Sequence, residues 1–202
     1  MGRPQTDLSK FRKETLLTLL LLDNGSFGRY ALSTYLGLTK AKTRTLLEQL
    51  NELDLAHSNK GRGGTQLTHS GRELIRKIRE YCYLDWNHET VKLPDDFLTN
   101  GDEMGILYFK NDGFSSNGLY ERDIAVRQGA LGAITLKQNN KNDWVFPNDD
   151  TTAKRIAILD HELIDNYNVM IISFGDNLGG VFSALSAVLL YHLQDELEDL
   201  LP

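Results

Sequence analysis

The run Leu67-Thr68-His69-Ser70-Gly71-Arg72-Glu73-Leu74 decides how the first half of the chain is read. Leu67 stands where a strand would need an apolar anchor. Thr68 or Ser70 offers a hydroxyl to cap a helix N-terminus. Gly71, with no side chain, allows that helix to pack closely. Residues 65–68 read as a return strand, and residues 55–58 as its outgoing partner. Between them lies Asn59-Lys60-Gly61-Arg62-Gly63-Gly64, a flexible basic loop. Downstream, the pattern predicts a long helix to about Tyr83.

Further back, Leu8, Phe11, Leu16, Leu19 and Leu20 recur at helical spacing, which predicts a first helix over 8–22. Asp23-Asn24-Gly25 is turn chemistry. A short helix over 29–36 ends at Gly37, and Thr39 is the expected N-cap of a third helix reaching about Leu53. The apolar face of that third helix is Leu46, Leu47, Leu50 and Leu53. Helix, helix-turn-helix, two-stranded basic hairpin, helix is the order of a winged-helix domain.

In a helix-turn-helix the second helix enters the major groove. Here that helix opens with Lys40, Lys42, Thr43 and Arg44, residue types that reach phosphates and base edges. Lys60 and Arg62 sit among glycines at the hairpin tip, where an arginine suits a narrow, electronegative minor groove. These six residues are the candidate contacts to double-stranded DNA. On Ala31, Gly37-Leu38-Thr39, Arg44, Leu47, Leu50 and the run 67–74, residues 8–83 resemble the winged-helix domains of bacterial and archaeal transcription regulators. That resemblance implies DNA binding and, for reading two half-sites, a homodimer.

Charge supports the division. Residues 1–80 hold 14 Lys and Arg against 8 Asp and Glu, a balance of +6; the remainder holds 8 against 20, a balance of −12. A basic module joined to an acidic one suits a polyanion binder tethered to a part that avoids polyanions. The single cysteine, Cys82, cannot form an internal disulfide, which points to a reducing, cytoplasmic setting. The apolar stretch Leu16 to Leu22 falls far short of the ~20 residues of a membrane span and reads as a buried helix.

Residues 86–99, with Pro94, Asp95 and Asp96, read as a linker between a domain over 1–85 and a second over 100–202. The second half reads strand 104–109, helix 119–128, strands 130–137 and 144–147, helix 153–164, strand 169–174 and helix 181–193. Ile156-Ala157-Ile158-Leu159 could instead be a strand. The expected fold class is α+β: a winged helix-turn-helix domain, then an α/β sandwich on the ferredoxin-like βαββαβ pattern plus a helix. The whole chain also resembles archaeal-type regulators with such a second domain, which implies a sensing or oligomerisation role.

Ligand candidates in this half are Gly175, Asn177, Gly179 and Gly180, a glycine-rich strand-to-helix loop able to bind an anion through backbone N–H groups. Arg122 and Arg127 could hold a carboxylate or phosphate of a small-molecule effector. The alternative is a structural turn, and arginines paired with local acids. No H-E-x-x-H, G-x-S-x-G or P-loop signature occurs, so no catalytic residue, cofactor or metal ligand is expected. Leu189, Leu190, Leu193, Leu197 and Leu200 recur at helical spacing and, with the helix at 70–85, are candidate dimer seams. The reading is a dimeric DNA-binding regulator. The alternatives are a winged-helix protein-interaction module of the transcription machinery and an enzyme domain tethered to a DNA-binding domain.

Overall fold

The computed structural model describes residues 12–59, 63–87, 90–92, 101–112, 114–141, 143–147, 157–158, 164–198 and 200. It is an α+β structure. The chain forms α1 (Arg12–Asp23), α2 (Arg29–Tyr35), α3 (Lys40–Glu52), β1 (Ala56–Ser58), β2 (Thr65–Leu67) and α4 (His69–Ile78). It continues with β3 (Cys82–Asp85), β4 (Val91–Lys92), β5 (Glu103–Phe109), α5 (Leu119–Arg127), β6 (Gly132–Gln138) and β7 (Trp144–Val145). Last come β8 (Ala157–Ile158), β9 (Val169–Gly175), α6 (Leu178–His192) and α7 (Gln194–Glu198).

The decisive run behaves as its chemistry requires. Leu67 is buried. Thr68 caps α4, its Oγ1 accepting from the Gly71 amide at 3.0 Å. Ser70 is not the cap: its hydroxyl donates to Asp54 Oδ2 at 2.7 Å. A Cβ at Gly71 would come within 1.9 Å of the Leu55 carbonyl oxygen, so only glycine fits where α4 crosses the start of the hairpin. β1 and β2 pair antiparallel, Ala56 opposite Leu67 and Ser58 opposite Thr65.

The helix after this run is shorter than its sequence suggests. It ends at Ile78, and Cys82–Asp85 form the edge strand of the large sheet, antiparallel to β5 with Cys82 opposite Phe109. All four residues of β3 are buried. The aromatic, β-favouring run Tyr81-Cys82-Tyr83-Leu84 follows pairing with β5 over the continuation of a helix. Cys82 is therefore a strand residue, and burial pushes its thiol up, away from thiolate chemistry.

The five-stranded sheet runs β3-β5-β9-β6-β7, antiparallel throughout, with β9 inserted between the two strands joined through α5. Side chains alternate between its faces. Leu107, Phe109, Ala133, Val169 and Ile171 turn toward α5 and α6; Ile106, Tyr108, Leu136, Met170 and Ile172 belong to a second cluster with Trp144 and Tyr167 on the other face. There, buried Asp85 accepts from the Thr90 amide at 2.9 Å and the Thr90 hydroxyl at 2.6 Å. That hydroxyl also meets Tyr108 OH at 2.7 Å.

One expected element is different. The helix expected over 153–164 is not what Ala157–Ile158 form: they make β8, antiparallel to β4 with Val91 opposite Ile158. Ala157–Ile158 take the strand alternative, so a strand stands within the range where the expected order has its second helix. The rest of 153–163 lies outside the described residues.

α1 joins the halves. Its residues Thr15 through Leu22 are all buried, as an apolar helix covered on all sides should be. It packs on α4 and β2 in one direction and on α6 in the other. One core cluster therefore runs from Leu16, Leu20 and Leu46 to Phe109, Phe182 and Leu189. At the N-terminal end of α1, half-buried Lys13 donates from Nζ to Gln128 Oε1 and to Ser183 Oγ, each at 2.8 Å.

Candidate nucleic-acid interface

α3 begins at a cap built by Thr39, whose side chain accepts from the Lys42 amide at 3.3 Å. The stripe Thr43, Leu46, Leu47 and Leu50 faces the core. Lys40, Ala41, Lys42, Arg44, Thr45 and Glu48 are exposed. Lys40 Nζ lies 4.6 Å over the Tyr30 ring, and Arg44 Nε donates to Glu48 Oε1 at 2.8 Å along the helix.

Thr43 departs from the expected contact set. It is fully buried, and its hydroxyl donates to the Thr39 carbonyl at 3.1 Å. It stands three and four residues ahead of Leu46 and Leu47, so the helical period turns it inward. Thr45, two residues on, takes the outward position.

The hairpin stands across from α3. Phe27 bridges to Thr65 and adds a third strand position. Ser26 Oγ donates to the Gly63 carbonyl at 2.6 Å and the Asn59 amide to the Gly64 carbonyl at 2.8 Å, pinning the base of the loop. Lys60 and Arg62 lie outside the described residues. A cleft of about 760 Å³ separates the elements, lined by Arg29 and Tyr30 of α2, Arg44, Glu48 and Asn51 of α3, and Asn59 and Gly64 of the hairpin. Arg29, Tyr30, Thr45 and Asn51 are residues that reading the sequence missed. The outward period of α3 could have found Thr45; the others come to the cleft only through the tertiary fold.

The second expected site is closed. Asn177 caps α6, its Oδ1 accepting from the Gly180 amide at 2.8 Å. Backbone from two turns fills the space in front of this helix start. A Cβ at Gly179 would lie 2.7 Å from the Gly37 Cα, and one at Gly180 would lie 2.4 Å from the Gly129 carbonyl oxygen. A Cβ at Gly175 would meet Ala130 and Leu131 backbone at 3.4 Å. These glycines serve close backbone packing at the start of α6. Arg122 is on the exposed face of α5 with Asp123 Oδ1 at 3.3 Å, and Arg127 is exposed at the other end of that helix. The loop and the arginines do not form one pocket.

The expected dimer seams are spent inside the chain. Leu189, Leu193 and Leu197 are buried in the shared core, and Leu190 and Leu200 pack against it. Ile75 and Ile78 of α4 are likewise buried.

A smaller cleft of about 320 Å³ opens between α5 and α6, lined by Asn111, Phe114, Ser115, Ser116, Tyr120, Glu121, Tyr191 and His192. Glu121 is fully buried there. His192 Nε2 meets its Oε1 at 2.7 Å, and Ser116 Oγ donates to its Oε2 at 2.6 Å. Burial pushes this carboxyl up, but the hydrogen bonds from His192 and Ser116 outweigh it and leave the group below its ordinary value. The histidine and the serine contact opposite oxygens of one carboxylate. The arrangement therefore ties α5 to α6 and does not align a base with a nucleophile.

Among the described residues, no group of three or more His, Cys, Asp or Glu could hold a metal ion, and no helix is long and apolar enough to cross a membrane.

Fold and site together define an α+β protein with a cationic helix face set against a hairpin. A solved structure shares its architecture: the hypothetical protein PH0730 from Pyrococcus horikoshii OT3 superposes with a TM-score of 0.71, covering 93% of this chain and 95% of that chain at 23% sequence identity. At that identity the likeness speaks for the fold alone. No protein-family model and no curated protein matches the chain.

Proposed function

We propose that the chain is a homodimeric, cytoplasmic DNA-binding transcription regulator. In this reading α1 to α4 with the β1–β2 hairpin are a winged helix. The second half is a ferredoxin-like sandwich in which β3, from upstream, supplies the strand flanking β5. The carrying observation is the exposed cationic start of α3, Lys40, Lys42 and Arg44, of which Arg44 lines the open cleft between this helix and the hairpin. Lys40, Lys42 and Arg44 then face the duplex, with Thr45 in the outward position first expected of Thr43. Arg29 and Tyr30 stand at the cleft rim for backbone contact, and Lys60 and Arg62 are carried by the wing. The charge split of +6 against −12 favours the same orientation, presenting the basic half to the polyanion. The close backbone packing of Gly179 and Gly180 favours assembly over effector binding at that loop as the role of the second half.

Titration of labelled duplex DNA at several salt concentrations tests this. Affinity should fall linearly on a log–log salt plot, because each phosphate contact releases counterions. Alanine at Lys40, Lys42 and Arg44 together, or at Lys60 and Arg62 together, should weaken binding and flatten that slope. Salt-independent binding, or none at low salt, overturns the proposal.

A further inference from the structure

The outward face of α3 carries a carboxylate where a polyanion is expected to dock. At about 100° per residue, Ala41, Thr45 and Glu48 lie within an arc of about 60° opposite the buried stripe of Thr43, Leu46, Leu47 and Leu50. All three are exposed. Arg44 stands at one edge of this arc. Lys40 and Lys42 lie well outside it, on opposite flanks of the helix, with Lys40 held over the Tyr30 ring. Glu52 shares the arc only at the far end of α3, away from the N-terminal part of such a helix that reaches base edges. The lysines are thus placed for the phosphate walls of a groove. Its floor is left to a methyl, a hydroxyl and a carboxylate.

Glu48 cannot serve a phosphate, so its partner has to be a hydrogen-bond donor. The donors on the major-groove edge are the amino groups of cytosine and adenine, and carboxylates accept from cytosine N4. Beside it, Arg44 Nε donates to Glu48 Oε1 at 2.8 Å, and both residues line the cleft. That bond occupies Nε and one carboxylate oxygen; it leaves Nη1, Nη2 and Oε2 for a further partner. The pair is more than half exposed on both sides, so it contributes little to the fold. What it does supply is a fixed row of two donors followed by an acceptor. A G·C pair offers the complementary row, guanine N7 and O6 accepting and cytosine N4 donating. An A·T pair sets a donor, adenine N6, where the arginine needs an acceptor.

We propose that Arg44 and Glu48 act as one unit that reads a single G·C base pair, Arg44 on the guanine and Glu48 on the cytosine, with Glu48 also positioning the guanidinium. This rests on the DNA-binding reading of the same face. The test is selection from a randomised duplex pool with the full chain, followed by titration of the enriched duplex and its single-pair variants. The wild type should favour G·C over A·T at one position by about tenfold. Glu48→Ala should bind unrelated duplex more tightly, because a negative charge leaves the docking face, and yet lose the preference at that position. Arg44→Ala should lose the preference at the same position. Glu48→Gln, which keeps an acceptor oxygen without the charge, should retain part of it. Melting temperatures should hold in all three, since both side chains are exposed. Salt-dependent binding with no preference at any position, a preference that survives Glu48→Ala, or losses at different positions in the Arg44 and Glu48 variants would overturn the proposal and leave the DNA reading standing. Failure of the wild-type chain to bind any duplex at low salt would overturn the DNA reading and this proposal with it.

Discussion

Two helix starts in this molecule share one cap and nothing else. α3 is capped by Thr39 and α6 by Asn177, and in each the cap side chain accepts from the amide three residues on. Each presents the same partial positive end of a helix. Beyond the cap they diverge. α3 opens into solvent with Lys40 and Lys42, while α6 opens with Gly179 and Gly180 pressed on the backbone of Gly37 and Gly129. The two starts also meet: Gly37, the turn that leads into α3, is what closes α6. A helix N-terminus is thus only a donor of N–H groups. Whether it receives a phosphate or a neighbouring turn depends on the residues that follow the cap, cations in one case and glycines in the other.

The sharpest way to break this comparison is to give the closed start a side chain. Gly179→Val places carbon where the Gly37 Cα leaves no room, so we expect a loss of about 3 kcal/mol in chemical denaturation, at the upper end for overpacking. Because the displaced turn feeds α3, duplex binding should fall with it. Retained stability would show that the two backbones separate easily.

Next in size is removal of cations from the open start. Lys40→Ala with Lys42→Ala should weaken binding to all duplex sequences by about tenfold and reduce the salt slope by about 2, with the melting temperature held. An unchanged slope would place phosphate contact elsewhere.

The caps themselves provide a matched pair. Thr39→Ala and Asn177→Ala should each cost about 1 kcal/mol of stability. Only the Thr39 variant should lower duplex affinity beyond what its stability explains, since only that helix start opens into solvent among cations. Equal effects on affinity would remove the distinction.

The smallest effect concerns acid. Glu121 is held below its ordinary value in the folded chain. A depressed carboxyl stabilises above its unfolded value, 4.5, and that contribution is lost as pH falls through the folded one. Asp23 is shifted the other way, pushed up by burial against the lowering by Arg79, so the total profile mixes both. Glu121→Gln isolates its part: the difference between wild type and variant should be constant near neutrality and shrink in acid, as read by urea denaturation across pH. A difference that grows on acidification would contradict the assignment.

Much of this was legible in the order of residues. The caps at Thr39 and Thr68, the close approach at Gly71, the hairpin and the apolar stripe of α3 all follow from local rules, because turn chemistry and helical period act within a few residues. Thr43 leaves the expected contact set because the period that buries Leu46 and Leu47 also turns it inward. What local rules do not carry is who covers whom. Cys82–Asp85 became a strand because β5 offered an edge, and Gly179 became a packing residue because Gly37, far away in sequence, came to rest on it. The leucines near the end read as a free seam for the same reason: the core cluster that covers them includes Leu16 and Phe109, which are distant in the chain.

The burial of α1 on every side has a consequence for inheritance and engineering alike. A helix whose opposite faces are claimed by both halves belongs to neither, so the basic half is not a cassette that recombination can move onto another partner. Cut away from α6, it would carry Leu17, Leu20 and their neighbours into water. The two halves of this protein are bound to change together, each accumulated substitution on one flank of α1 answered on the other.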